Sequence, residues 1–195
     1  MKQWRATAND DVYSKLLSAY SEPHRHYHTV QHVDDCLAQF DEAPSIAKAP
    51  EEVEVALWFH DAIYQPTSSK NELRSAEWAA SFLRSIGAAT DQSDRVHRYI
   101  LATKHGTDSH SGDAALVVDI DLSILGRERD AFEIYEQAIR DEYNWVPGPI
   151  YRRRRIEMLQ SFLDRSAIFE TEQFRRRYEN QARENLEWAI QRLRT

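Results

Sequence analysis

The sequence predicts an all-α protein, and three observations support this prediction. Five glycines and six prolines occur among 195 residues, which is about half the usual share of residues that interrupt helices. Charged residues make up 29% of the chain. Apolar residues recur at helical spacing in almost every segment. The length suits one domain with a substantial core, so we expect a single-domain helical bundle over residues 1–195.

Prolines and early carboxylates mark several helix boundaries. Asn9-Asp10 can cap the first helix, and Pro23 interrupts the chain after it. Pro50 followed by Glu51-Glu52 is a favourable start, because early carboxylates face the positive end of the helix dipole. The expected helices cover about residues 10–20, 28–40, 50–59, 71–86, 91–104, 114–125, 128–144, 149–164 and 171–193.

Two of these helices are expected to be deeply buried. The third carries the run Val53–Phe59, which is apolar on most sides and therefore predicts a central position. The sixth contains Leu116-Val117-Val118, a run that resembles a strand. Its length and its continuation through Leu122 and Leu125 favour a buried helix instead.

Composition excludes several classes of protein. The formal net charge of −7 argues against a dedicated nucleic-acid binder. The single Cys36 cannot form an internal disulfide, which suits a reducing compartment. No apolar run is long enough for a signal peptide or a membrane span. The arginine runs 152–155 and 175–177 are interpreted as solvated helix faces. We therefore expect a soluble cytoplasmic protein, and its oligomeric state stays open.

The candidate metal-binding residues lie in three separate segments. His60 and Asp61 adjoin inside a largely apolar run, where they are costly to desolvate unless a divalent cation compensates them. His28 and His32 lie upstream, spaced to project from one face of the expected second helix. Asp119-Ile120-Asp121 lies downstream. Together the segments provide two imidazoles and two carboxylates, a usual ligand set for a catalytic metal with open positions.

The pattern of these segments over separate helices resembles the HD superfamily of metal-dependent phosphohydrolases. Within it, six segments are similar to one family of predicted HD phosphohydrolases, and the similarity spans about residues 20–190. These segments are Tyr27–His32, Trp58–Tyr64, Asn71–Ala76, Asp119–Gly126, Ile139–Tyr143 and Glu179–Leu186.

The resemblance implies a metal site made by His32, His60, Asp61 and one aspartate of Asp119-Ile120-Asp121. Asp121 is favoured as the fourth ligand, because a short polar-apolar helix segment generally follows the closing aspartate of the superfamily. Such ligands suit Mn, Fe, Zn, Ni, Co or, less well, Mg, and they do not identify the divalent metal.

Two residues are candidates for proton transfer and water positioning. The Tyr-His-x-x-x-His pattern of Tyr27, His28 and His32 also resembles that of cyclic-nucleotide phosphodiesterases. This resemblance implies that His28 donates a proton to the leaving oxygen. A histidine that only hydrogen-bonds its loop is the alternative. Glu72 is expected to orient the attacking water or to contact the metal through water. Its alternative is a first-turn carboxylate that stabilises the helix dipole.

Three further residues are candidates for a second metal or for the substrate. His105 is a candidate to bind a second metal or to contact a phosphate. The alternative is a plain loop residue. Gly106 weakens a two-metal site, because the family often has another histidine there. Lys104 and Arg140 are candidates for gripping a phosphate, and an internal ion-pair network with Glu142 is the alternative for Arg140.

The resemblance thus implies a metal-dependent phosphohydrolase that acts on a small phosphate ester, such as a nucleotide. Two alternatives stay open. One is a non-catalytic regulatory protein that binds metal or nucleotide. The other is an oxygenase of the HD fold with two irons. No membrane partner is expected, and a nucleic-acid partner is disfavoured.

Overall fold

The computed structural model of the protein describes residues 10–42, 46–104, 106 and 110–195. Within these ranges every regular element is helical, and no strand occurs. The predicted all-α class is therefore confirmed.

The described ranges contain nine α-helices and one 3-10 helix. None of these helices combines the length and the apolar character needed to cross a lipid bilayer. The helices are α1 (Asp10–Tyr20), α2 (Val30–Glu42), α3 (Pro50–Phe59), α4 (Asn71–Ser85), α5 (Thr90–Ala102), α6 (Asp113–Asp121), the 3-10 helix (Leu122–Gly126), α7 (Arg129–Glu142), α8 (Gly148–Leu163) and α9 (Glu172–Arg194).

The chain divides into two compact units, one that ends at Asp121 and one that begins at Leu122. The first unit contains α1 to α6, and the second contains the 3-10 helix and α7 to α9. The single domain expected over residues 1–195 stays a prediction.

Helix α3 is the central element of the first unit. It packs against α2, α4, α5 and α6, and all its residues from Glu52 to Phe59 are buried. Each fully buried large apolar side chain contributes about 1.5–3 kcal/mol relative to an exposed one. The apolar run therefore explains why the end of α3, which leads into His60 and Asp61, lies deep in this unit.

Polar contacts hold the start of α3 against its neighbours. The Arg95 guanidinium of α5 donates to both carboxylate oxygens of Glu52, at 2.6 and 2.7 Å. The Asp113 carboxylate accepts hydrogen bonds from the backbone N–H groups of Lys48 and Ala49, each at 2.8 Å. These contacts connect the start of α3 to α5 and to the first residue of α6.

The second unit is built around α9. This helix packs against α7, α8 and the 3-10 helix. The buried Asn185 side chain donates to the backbone carbonyls of Leu125 and Arg127, both at 2.8 Å. These two bonds satisfy carbonyls at the end of the 3-10 helix, where a buried acceptor without a donor would be costly.

Two details of the expected helices are corrected or refined. Helix α2 begins at Val30 rather than at residue 28, so His28 lies in the preceding turns and does not share a helix with His32. The buried Arg25 side chain donates to the His28 and Asp61 carbonyls and so ties the backbone before α2 to the segment after α3. The strand-like run near Val117 is helical as predicted, and the chain tightens into 3-10 geometry directly after Asp121.

Candidate metal centre

Helix α2 contributes two potential ligands from its inner face. His32, Val33, Cys36 and Phe40 are buried there. Positions four apart lie one above the other on a helix, so His32 and Cys36 face the same way. The amphipathic pattern of α2 thus buries an imidazole and a thiol together with the apolar face.

His60 and Asp61 follow directly after the last residue of α3. The His60 backbone N–H continues the helical bonding to the Ala56 carbonyl at 2.9 Å. The Nδ1 atom of His60 lies 2.8 Å from the Leu57 carbonyl oxygen. That carbonyl can only accept, so Nδ1 carries a proton, and in the neutral ring Nε2 has the lone pair that can bind a metal.

Asp121, the last residue of α6, completes the set. Its Oδ1 lies 3.2 Å from His32 Nε2 and 3.6 Å from His60 Nε2. The side chain is 12% exposed. Asp121, the aspartate favoured from the sequence, has its carboxylate close to both imidazoles.

The distances among these side chains match a shared cation. The Nε2 atoms of His32 and His60 are 3.0 Å apart. Asp61 Oδ2 lies 3.1 Å from His60 Nε2 and 3.7 Å from His32 Nε2. Ligands at 2.0–2.1 Å from one ion are about 2.8–3.4 Å apart, from cis octahedral to tetrahedral geometry. Three of the pairs fall in this range, at 3.0, 3.1 and 3.2 Å. The other two, at 3.6 and 3.7 Å, lie just outside it. The role of Asp61 as a ligand stays a prediction.

Cys36 belongs to the same cluster, and the sequence analysis did not identify it as a candidate ligand. One potential ligand atom from each of His32, Cys36, His60 and Asp121 lies within 4.8 Å of the others, so this buried set can hold a metal ion. The Cys36 Sγ lies 3.8 Å from His32 Nε2 and 3.9 Å from Nδ1. The spacing of four residues from His32 was the signal that could have found it.

The cluster is buried on its nitrogen side and partly open on its oxygen side. The imidazoles of His32 and His60 are 3% and 1% exposed, whereas the carboxylate of Asp61 is 16% exposed. An ion held here would have its imidazole ligands in the core. The carboxylates of Asp61 and Asp121, at 16% and 12%, are more exposed than either imidazole.

The surroundings shift the protonation of three cluster residues. Burial lowers the pKa of His60, but the carboxylates of Asp61 and Asp121 raise it, and its pKa lies well above the usual value. Burial raises the pKa of Asp61, but His60 and His28 lower it well below its usual range. Burial, Asp121 and Asp61 together raise the pKa of the Cys36 thiol. A bound cation would take the place of the His60 proton.

His28 borders the cluster from the turns before α2. Its Nε2 is 4.0 Å from Asp61 Oδ2, and its side chain is 19% exposed. The ring stacks on Tyr64 with centroids 4.1 Å apart, and Tyr27 packs edge-on against it at 5.0 Å. The imidazole is therefore held beside the Asp61 carboxylate, and both side chains are partly exposed.

Arg25 is a second residue that sequence reasoning missed. It is buried, and its guanidinium donates to the backbone carbonyl oxygens of His28, Asp61 and Ala62 at 3.1, 2.7 and 3.2 Å. Two of these partners lie 36 and 37 residues downstream. No local pattern connects such distant positions, so only the folded chain reveals the contact.

Glu72 lies at the start of α4, which is tied to the loop after Asp61. Asn71 accepts a hydrogen bond from the Gln65 backbone N–H at 3.1 Å, and the Ser75 hydroxyl accepts one from the Ile63 backbone N–H at 2.9 Å. Glu72 itself is half-buried. No hydrogen bond or ion pair links its carboxylate to a residue of the described ranges, so both roles expected for Glu72 stay predictions.

The remaining candidates are not brought to the cluster by any contact in the described ranges. Lys104 is exposed just after α5. His105 lies outside the described residues. Arg140 belongs to the second unit, where it donates to the Tyr143 and Val146 carbonyls and lies 4.6 Å from the Tyr151 ring centroid. Its guanidinium thus holds the backbone that follows α7.

Comparison of the chain with protein-family models, with curated proteins and with solved structures gave no match.

Proposed function

We propose that this protein is a metal-dependent phosphohydrolase of the HD-domain type, acting on a small phosphate ester such as a nucleotide. The observation that carries the proposal is the convergence of His32, His60, Asp61 and Asp121. Their ring nitrogens and carboxylate oxygens lie 3.0–3.7 Å apart in the measured pairs. Three separate segments of the chain are needed to build this set.

The proposed ligands fit the chemistry of phosphoryl transfer. When bound, a divalent ion supplies charge stabilisation at a phosphoryl oxygen and lowers the pKa of water. His32 and His60 would hold it from the buried side, with Asp61 and Asp121 from the partly exposed side. Cys36 is a further potential donor. The carboxylate side then leaves space for the substrate phosphate and for water.

His28 is proposed as the group that gives a proton to the leaving oxygen. Its Nε2 lies 4.0 Å from Asp61 Oδ2, which is farther than the distances between the proposed ligand atoms. Stacking on Tyr64 limits its rotation. Partial exposure lets the imidazole exchange its proton with solvent between turnovers, as a general acid requires. Glu72 is proposed to help orient the attacking water from the start of α4.

A hydrolysis panel tests the proposal. Purified protein, treated with chelator and reloaded separately with Mn²⁺, Zn²⁺, Co²⁺ or Mg²⁺, is assayed against nucleotides and sugar phosphates for release of inorganic phosphate. We expect chelator-sensitive activity that His60→Ala and Asp61→Ala each reduce at least ~100-fold, since removal of a ligand removes the ion. His97→Ala, a half-buried histidine of α5 outside the cluster, is the matched control and is expected to keep full activity.

Three outcomes would overturn the proposal. The first is full activity in His60→Ala or Asp61→Ala. The second is metal binding without hydrolysis of any ester in the panel, which favours a regulatory metal-binding protein. The third is two irons per chain with oxygen-dependent turnover, which favours an oxygenase.

A further inference from the structure

Arg25 is a buried cation whose guanidinium donates hydrogen bonds to three backbone carbonyls and to one carboxylate. Its Nη1 donates to the His28 carbonyl at 3.1 Å and to the Asp61 carbonyl at 2.7 Å, and its Nη2 donates to the Ala62 carbonyl at 3.2 Å. Its Nε donates to the Glu22 carboxylate at 3.0 Å. One side chain thus joins two segments that are distant in sequence.

The surroundings of Arg25 make this arrangement rigid. The guanidinium lies 5.2 Å from the Tyr20 ring centroid and 5.4 Å from the Tyr64 ring centroid. Aromatic rings around a guanidinium stabilise the cation, and Glu22 balances its charge. The guanidinium fork is planar and presents its donors in fixed directions. A buried arginine in such a setting has little freedom to move.

Two of the carbonyls that Arg25 holds belong to residues of the proposed site. The Asp61 side chain reaches the cluster, with Oδ2 3.1 Å from His60 Nε2, and the His28 ring lies 4.0 Å from the same oxygen. Arg25 bonds both backbones with a single nitrogen, Nη1. The separation of these two side chains therefore depends on one shared donor.

From these contacts we infer that Arg25 is a positioning residue of the metal centre, one that holds Asp61 as a ligand and His28 beside it. Its effect on hydrolysis rests on the proposed function. Its effect on the site does not: without Arg25, the Asp61 carboxylate is no longer held against His60. Partners that orient metal ligands typically change metal affinity or activity about 10–100-fold when they are removed.

The chain offers a matched control in Arg183. Its guanidinium also donates to two backbone carbonyls, Leu163 at the end of α8 at 3.1 Å and Arg165 at 2.9 Å, and to the Glu179 carboxylate at 2.8 Å. None of its partners is a cluster residue. Replacement of Arg183 therefore removes the same kind of contact without touching the backbone of Asp61 or His28.

The test compares Arg25→Met, Arg25→Lys and Arg183→Met with the wild-type chain. Each protein is stripped with chelator and titrated with Co²⁺, and both the dissociation constant and the visible absorption spectrum are recorded below the melting temperature of every variant. We expect Arg25→Met to bind Co²⁺ about 10–100-fold more weakly, with an altered spectrum. Arg25→Lys, which keeps the charge but not the fork, is expected to fall between Arg25→Met and wild type.

Arg183→Met separates positioning from general stability. We expect it to lower the melting temperature, as Arg25→Met does, but to bind Co²⁺ with wild-type affinity and spectrum. Wild-type Co²⁺ binding in Arg25→Met, or an equal loss in Arg183→Met, would overturn the inference. If Arg25→Met does not fold, the same criterion applies to Arg25→Lys.

Hydrolysis is measured on the same samples, so that the two proposals fail separately. Where wild-type protein hydrolyses an ester, Arg25→Met is expected to lower kcat about 10–100-fold with little change in KM, because the contact holds catalytic groups rather than substrate. Loss of Co²⁺ affinity in Arg25→Met with no hydrolysis by wild-type protein would sustain the positioning role and reject the phosphohydrolase. Normal hydrolysis and Co²⁺ binding in Arg25→Met would reject the positioning role alone.

Discussion

The two ring nitrogens of His60 have different partners, one in the backbone and the other in the cluster. Nδ1 is occupied by the Leu57 carbonyl at 2.8 Å, and Nε2 faces His32, Asp61 and Asp121. A bond to a backbone carbonyl fixes both the tautomer and the ring orientation. The residue is thereby prepared for a cation before one binds.

The pH dependence of metal binding follows from His60. Despite burial, Asp61 and Asp121 raise the pKa of His60 well above its usual value, so a proton on Nε2 competes with a cation for the same position. We expect the affinity for Zn²⁺ to fall as the pH is lowered, by about tenfold per pH unit for each displaced proton. Competition titrations between about pH 8 and pH 6 measure this slope. His97→Ala should show the same slope, and an affinity that does not change with pH would contradict the prediction.

Cys36 is expected to influence which metal the site prefers. A thiolate ligand favours Zn²⁺ or Co²⁺ over Mg²⁺ and Mn²⁺. We therefore expect Cys36→Ser to weaken Zn²⁺ and Co²⁺ binding by about tenfold or more, with little effect on Mn²⁺. The near-ultraviolet sulfur-to-cobalt absorption band should also disappear. A Co²⁺ spectrum without that band in the wild-type protein would show that Cys36 does not bind the ion.

At the scale of elements, helix ends deliver most of the cluster. His60 and Asp61 follow the last residue of α3, and Asp121 is the last residue of α6. Only His32 and Cys36 come from the body of a helix. A side chain at a helix end can turn toward a shared point while the helix itself stays packed in the core.

The close approach of the 3-10 helix to α9 gives a prediction for the second unit. A Cβ atom on Gly126 would lie 2.5 Å from Tyr178 Cβ and 2.7 Å from its carbonyl oxygen. We expect Gly126→Ala to lower the free energy of unfolding by about 1–3 kcal/mol, the usual cost of overpacking. Urea denaturation measures it.

Gly148→Ala is the control for that substitution. Gly148 begins α8, and apart from its chain neighbours a Cβ there would meet no atom within 4 Å. Alanine favours a helix over glycine, but the ring of Pro149 disfavours helical geometry for a preceding residue with a Cβ. We expect Gly148→Ala to change the free energy of unfolding by less than about 1 kcal/mol. Equal effects of the two substitutions would argue against the predicted contact with Tyr178.

At the scale of the whole molecule, the cluster joins distant parts of the first unit. His32, His60 and Asp121 lie in three different helical segments, and an ion bound to all of them links those segments in the folded state. A ligand that binds only the native chain stabilises it by mass action. The cluster therefore couples metal binding to folding.

This coupling predicts a measurable effect of metal removal. With free Zn²⁺ at 100 times its dissociation constant, we expect the free energy of unfolding to rise by about 2.7 kcal/mol over the chelated protein. Urea denaturation in the presence of Zn²⁺ or of chelator checks this value. His60→Ala should show no such difference, and a difference equal to that of wild type would mean that the metal binds elsewhere.

Local patterns in the sequence determined the helices with useful accuracy. The expected ranges for α1, α4 and α7 to α9 agree with the structure to within about two residues, since apolar periodicity and breakers act over short distances. The sequence failed at His28. Its spacing from His32 predicted a shared helix, but tertiary contacts of Arg25 place it in turns.

What the sequence determined by itself was the fold class and a short set of residues able to bind a cation. The tertiary structure decided which of them meet. It places Asp121 against both imidazoles, adds Cys36 to the cluster, and uses Arg25 to join backbones 36 residues apart. Helical periodicity is local, whereas distances between helices arise from the packing of the core, and no spacing along the chain contains them.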